Sequence, residues 1–142
     1  MVLKTKQEEI CARFNSFDLH DSKLFSVHIV RNESDDSDDV LLETKLNPLR
    51  GEQHWKGAQL RFKDCTIIKL DLDLDGKRVC SDDIACNLAS IDSSLKQRIE
   101  KEQLPYETAP LADYLHFHIG MIHPGGTIDV FARDFDLIVA ET

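Results

Sequence analysis

Apolar residues recur along this chain at two spacings, and the switches between them mark out its elements. Ile10, Phe14 and Phe17 fall at i, i+4 and i+7, the spacing of one helical face. Thr5-Lys6-Gln7-Glu8 precedes them as a capping box, with hydroxyl and carboxylate set to satisfy exposed amides. The spacing predicts a short helix over about residues 6–16, broken by "FDLHDS". From Lys23 the period becomes two. Phe25, Val27 and Ile29 alternate with Leu24, Ser26 and His28 as in a half-buried strand. The acidic run 31–39 predicts a solvated hairpin loop, and Val40, Leu42, Thr44 and Leu46 the returning strand. Residues 47–57, with Pro48, Gly51 and Gly57, have no period and predict a loop whose Trp55 folds back over an edge of the core.

Ala58, Leu60 and Phe62, then Ile68, Leu70, Leu72 and Leu74, are all even-numbered. They form one long bent strand or two strands meeting at a tight turn. Ser81-Asp82-Asp83 has the side chains of a helix start, and Ile84, Leu88 and Ile91 follow at helical spacing. A second start at Asp92-Ser93-Ser94 carries Leu95 and Ile99, with Pro105 beyond its end. Residues between Gly76 and Pro110 are therefore expected to be mostly helical. Alternation returns in three further faces: Leu115, Phe117, Ile119 and Met121; Ile128, Val130 and Ala132; and Phe135, Leu137 and Val139. "HPGG" at 123–126 is a turn between the first two, and a four-residue loop, or one shortened by two, puts both apolar faces on one side. The fold class expected is α+β: an antiparallel sheet of about six strands with an N-terminal helix and a central helical segment. A strongly bent sheet or roll is the variant left open.

A chain of 142 residues, 42% hydrophobic and 30% charged, fits one folded domain over 1–142. Its net charge of -9 opposes a nucleic-acid partner, which demands a basic stripe. No apolar stretch approaches the ~20 residues that span a bilayer. The first residues, "MVLKTKQEEICARF", lack the apolar core of a secretory leader. Cys11, Cys65, Cys80 and Cys86 form no C-x-x-C, so reduced thiols and a cytoplasmic location are expected, with no cofactor.

Two motifs suggest chemistry. "DLDLDG" at 71–76 matches the start of a calcium loop. Asp71, Asp73 and Asp75, however, alternate strictly with Leu70, Leu72 and Leu74. In a strand such carboxylates stand about 7 Å apart along one face and do not converge on an ion. The expectation is an acidic strand face closed by an Asp-Gly turn. "HFHIGMIH" contains His116 and His118 two residues apart, able to share one strand face and bind zinc. With a four-residue hairpin loop, His118 faces Phe131, His116 faces Arg133, and Asp129 lies diagonally near His118. His116, His118 and Asp129 are the alternative metal-binding set, with His20 or His28 as a third histidine. Absent an assured third ligand, no metal is favoured. His20-Asp21-Ser22 reads as a polar cap between helix and strand, not as a triad.

"LHDSKLFSVHIVR" resembles the opening of small bacterial proteins with a His-Asp-Ser or His-Asp-Ala step before the first strand, among them immunity protein 50 of polymorphic toxin systems. "HPGGTIDVFARDF" is similar to a C-terminal hairpin of small uncharacterised proteins. That resemblance implies a cytoplasmic, non-catalytic binder of a protein partner. The candidate contacts, chosen for charge and not carried over from the family, are Asp35, Asp36, Asp38, Asp39, Asp71, Asp73 and Asp75. A small metal-dependent hydrolase built on the His-x-His strand is the alternative. The terminal strand around Phe135 to Val139 offers an edge through which the chain can pair with a copy of itself.

Overall fold

The computed structural model describes residues 5–34, 37–48, 54–72, 83–102, 111–122 and 125–140. The N-terminal helix α1 spans Lys6–Asn15. Thr5 caps it: its Oγ1 accepts the Glu8 amide at 3.1 Å and donates to the Glu8 carboxylate at 3.2 Å. Glu8 and Glu9 lie in the first turn and Arg13 in the last, each with the sign that the helix dipole favours. Ile10, Cys11 and Phe14 are its buried face.

Six strands follow: β1 Lys23–Asn32, β2 Ser37–Leu46, β3 Lys56–Leu72, β4 Ile84–Ser90, β5 Leu115–Met121 and β6 Gly126–Val139. They form one antiparallel sheet in the order β1-β2-β3-β6-β5-β4. Helix α2, Ser94–Glu102, and a 3-10 turn, Leu111–Asp113, lie between β4 and β5. At one end the two edge strands meet in a single bridge, Lys23↔Asp83. It is reinforced by Asp21 N to Ile84 O at 2.8 Å and Ile84 N to Ser22 O at 2.7 Å, without closing the sheet into a barrel. Among the described residues, no helix is long and apolar enough to cross a membrane.

Residues 58–72 belong to one strand, and so do 128–139, which the alternation divided in two. The reason is a kink that the two strands share. Asp64 is left-handed, at φ 53°, and the register with β6 shifts between Cys65 and Ile67. Phe62, Cys65 and Ile68 therefore reach the same core at three-residue steps, as do Ala132 and Phe135 on β6. Asp39 holds the kink. Its carboxylate accepts Arg61 Nε at 2.7 Å and the Asp64 amide at 2.9 Å. Asp39 is only 7% exposed.

The larger correction concerns residues 84–90, expected to be helical and found as β4. Ile84 and Leu88 coincide with helical spacing, but Leu88 is 53% exposed and the inward residue is Ala89, which pairs with Phe117. Pairing with β5 outweighs a two-residue helical pattern. Two asparagines then seal the strand against α1. Asn15 donates to Ala89 O at 3.0 Å and accepts the Ala89 amide at 2.6 Å. Asn87 Nδ2 donates to the carbonyls of Phe14 and Phe17 at the helix end. The start expected at Asp92-Ser93-Ser94 is realised as α2, where Ser93 Oγ accepts the Lys96 amide at 3.1 Å.

Trp55 does not cover the core edge: it is 41% exposed, with the Lys23 ammonium 5.9 Å from its ring centre. Strand β1 is also less regular than its alternation implies, because its register with β2 breaks between Leu24 and Ser26 and leaves Phe25 exposed.

The main core lies between α1 and the sheet. Phe14 is at its centre, 5.1 Å from Phe117 and 5.0 Å from Phe135, both edge-on. A second, smaller cluster of Ile99, Leu111, Tyr114 and Phe131 brings α2 onto the sheet. Lys96 is buried there, its Nζ donating to Ile91 O at 2.7 Å and Tyr114 O at 2.9 Å.

Two outcomes test this architecture. Phe14→Ala lowers unfolding free energy by about 3–5 kcal/mol, read by urea denaturation; a loss below about 1 kcal/mol contradicts the central placement. Burial alone would raise the Asp39 carboxyl, but the Asp64 amide and the Arg61 guanidinium outweigh it and hold it below its ordinary value. Its stabilisation is present above the unfolded value of about 3.9 and is lost as pH falls through the lower folded value. Asp39→Asn is therefore less stable at pH 7 and loses less stability than the parent between pH 5 and pH 3. Equal acid losses in the two proteins refute the assignment.

Candidate functional site

Past the kink, three cross-strand rungs face α2. The first carries Ile67, Phe131, His116 and Ser90; the second Lys69, Asp129, His118 and Leu88; the third Asp71, Thr127, Gly120 and Cys86. Residues opposite one another in an antiparallel ladder project from the same face. The hairpin register is two residues tighter than the four-residue loop implies. His118 stands opposite Asp129, and His116 opposite Phe131. Arg133 is thereby removed from the histidines: it pairs with Asp64 at 2.9 Å and lies over the Tyr114 ring.

One oxygen joins the site. Asp129 Oδ1 accepts His116 Nε2–H at 2.7 Å and His118 Nδ1–H at 2.7 Å. Burial alone would raise the Asp129 carboxyl. The bonds from His116 and His118, and then their charge, overcome it and hold the group well below the carboxylate range. The same bond raises His118, against the opposing effect of burial. His116 is fixed from three sides. Its Nδ1 meets Ser93 Oγ at 2.8 Å, and its ring stacks on Phe131 at 4.8 Å with an 8° interplanar angle. Its third anchor is Asp129 itself. Ser93 thus has two roles, capping α2 and orienting a histidine.

The ligand atoms of His116, His118 and Asp129 all lie within 4.8 Å of one another. They open onto a groove of about 720 Å³ whose walls include Lys69, Asp71, Ser94, Arg98 and Thr127. His118 Nε2 lies above Gly120; a Cβ there would be 3.5 Å from that nitrogen and 2.8 Å from Cys86 Sγ. Glycine at this position therefore makes room for the Cys86 thiol, while the His118 ring would meet a Cβ only at ordinary contact distance. His20 and His28 do not join the set, since His20 pairs with Asp21 at 3.1 Å and His28 with Ser26 at 3.0 Å. The "HDS" step serves the chain junction. Asp21 is left-handed at φ 64°, and buried Ser22 accepts the Asn47 amide at 3.0 Å.

The acidic positions are spread over the molecule. Asp39 is turned inward at the kink. Asp38 pairs with Arg31 at 3.4 Å, and Asp71 lines the histidine groove. Asp35, Asp36, Asp73 and Asp75 lie outside the described residues, as do His123, Cys80 and most of the "DLDLDG" motif. Residues 68–72 of that stretch are strand. Segment 135–139 pairs along one edge with β3. Its other edge runs past the end of β5, whose ladder stops at Leu115↔Ala132; there Arg13 donates to Phe135 O at 3.0 Å.

The sequence points to Ser93 and Ser94 only as a helix start, and to Lys69 and Arg98 not at all as site residues. Lys69 had one usable signal, its strand parity with Asp71. Compared with known proteins, the chain matches no family model, no curated protein and no solved structure.

The thiols near and away from this face differ in burial. Burial pushes Cys65 up to about 12 and raises Cys11 above its ordinary value, whereas Cys86 is exposed. Thiolate is the reactive form. Iodoacetamide at pH 8 therefore modifies Cys86 in the native protein and reaches Cys11 and Cys65 only after denaturation, as peptide mass mapping reads it. Native labelling of Cys65 as fast as Cys86 contradicts this placement.

Proposed function

We propose that His116, His118 and Asp129 bind a divalent ion of the zinc class and that the protein is a small metal-dependent hydrolase. The supporting observation is convergence: ligand atoms of His116, His118 and Asp129 lie within 4.8 Å of one another beside an open groove. A purely structural trio, serving only to satisfy a half-buried carboxylate, has no need of such an opening. Two imidazoles and one carboxylate are a set that zinc accepts, at about 2.0–2.2 Å, with a position left for water or substrate. An ion held there supplies Lewis acidity and a water ionised near neutral pH. The chain provides the rest: Ser93 and Phe131 fix the His116 ring, a role typical of groups behind metal ligands. The Lys69 ammonium, directly across from Asp129, opposes a cation, while Asp71 on the next rung offsets it.

A second reading, a protein-binding role without catalysis, has its own supporting observation. Phe25 and Ile138, each 57% exposed, flank a groove of about 400 Å³ over Gly57 and Ala140. An inhibitor of a protein partner would engage this apolar groove in addition to any carboxylates.

Titration with zinc by calorimetry separates the two readings. The parent binds one equivalent, His118→Ala loses at least about 100-fold in affinity, and Ser93→Ala loses about 10- to 100-fold. Absence of heat with the parent, together with metal-free preparations by elemental analysis, removes the hydrolase reading and leaves the binding role.

A further inference from the structure

We infer that the groove beside the histidines is a phosphate subsite, taking the terminal phosphoryl group of a small molecule. This rests on the hydrolase reading for its place in a reaction, but the binding itself is a separate property of Lys69 and Arg98. Arg98 stands one turn after Ser94 on α2, and both line the groove, as residues four apart on a helix share a face. Lys69 comes from β3 on the opposite wall. Both cations are exposed, and neither has an ion-pair partner among the described residues. The first turn of α2 carries no acidic side chain, so its dipole adds to theirs. Ser94 and Thr127 contribute hydroxyls to the same walls.

A guanidinium fork, an ammonium and hydroxyl donors arriving from two sides suit a phosphoryl dianion with three acceptor oxygens better than a planar carboxylate with two. A nucleic-acid backbone does not fit, because the chain carries a net charge of -9 and polyanion binding grows with the number of phosphates neutralised. Asp71 stands beyond Lys69 on the same face, where it repels a second phosphate and accepts a hydroxyl. The ligand class is therefore a phosphomonoester with a polar body.

The test uses inorganic phosphate on the metal-free full chain, followed by calorimetry or phosphorus NMR, with acetate as the carboxylate control. Phosphate binds, acetate does not, and Arg98→Gln and Lys69→Gln each weaken phosphate about tenfold or more. Zinc affinity in Arg98→Gln equals that of the parent, and in Lys69→Gln, which removes a charge across from Asp129, it does not fall. No phosphate binding by the parent, equal binding by the variants, or binding of acetate as tight as phosphate overturns the subsite. If zinc fails to bind while phosphate binding depends on Arg98 and Lys69, the metal reading falls and the phosphate subsite stands.

Discussion

The pairing of β3 with β6 is the constraint on which the other elements depend. It runs from Ala58↔Val139 to Leu72↔Gly126 and joins the β1-β2 hairpin to the β5-β4 pair. A long antiparallel ladder fixes every side chain to one face or the other, and a single-residue slip would turn the core outward. Here the slip at Cys65 and Ile67 is built in, and Asp39 holds it by binding Arg61 and the Asp64 amide. On one side of the kink Phe62 and Phe135 meet Phe14 of the helix. Beyond it, Ile67 and Phe131 turn to the opposite face, where they support α2.

That second face gives the site its chemistry. Burial of a carboxylate is costly unless hydrogen bonds replace its water. Asp129 meets that cost with two imidazole donors on one oxygen, and Phe131 and Ser93 prevent the nearer ring from turning away. The packing that fixes the sheet thus also fixes the two histidines beside the carboxylate. Lys69 and Arg98 place two cations in the same groove as the Asp71 and Asp129 carboxylates.

Much of this was legible in the residues, for identifiable reasons. Thr5 and Glu8 announce a helix start because capping is local chemistry, and the two-residue alternation of β2, β5 and the ends of β3 follows from one face meeting the core. The sharing of a face by His116 and His118 follows from strand parity alone. Strand β4 was hidden because Ile84, Leu88 and Ile91 mimic a helix while its stability comes from Phe117 and Ile119, about thirty residues away. The three-residue step from Ala132 to Phe135 looked like a strand break, because a kink shared by two strands leaves no mark in either sequence alone. Ser93 reaches His116, and Arg98 the groove, only through the docking of α2, a tertiary event.

The central claim, that the three side chains bind an ion, is tested most directly by anomalous diffraction from crystals grown with zinc. The account predicts one strong peak within about 2.0–2.2 Å of His116 Nε2, His118 Nδ1 and an Asp129 oxygen, with the short histidine–carboxylate bonds opened to admit it. A map without a peak there at saturating zinc, with Asp129 still bonded to both rings, would contradict it.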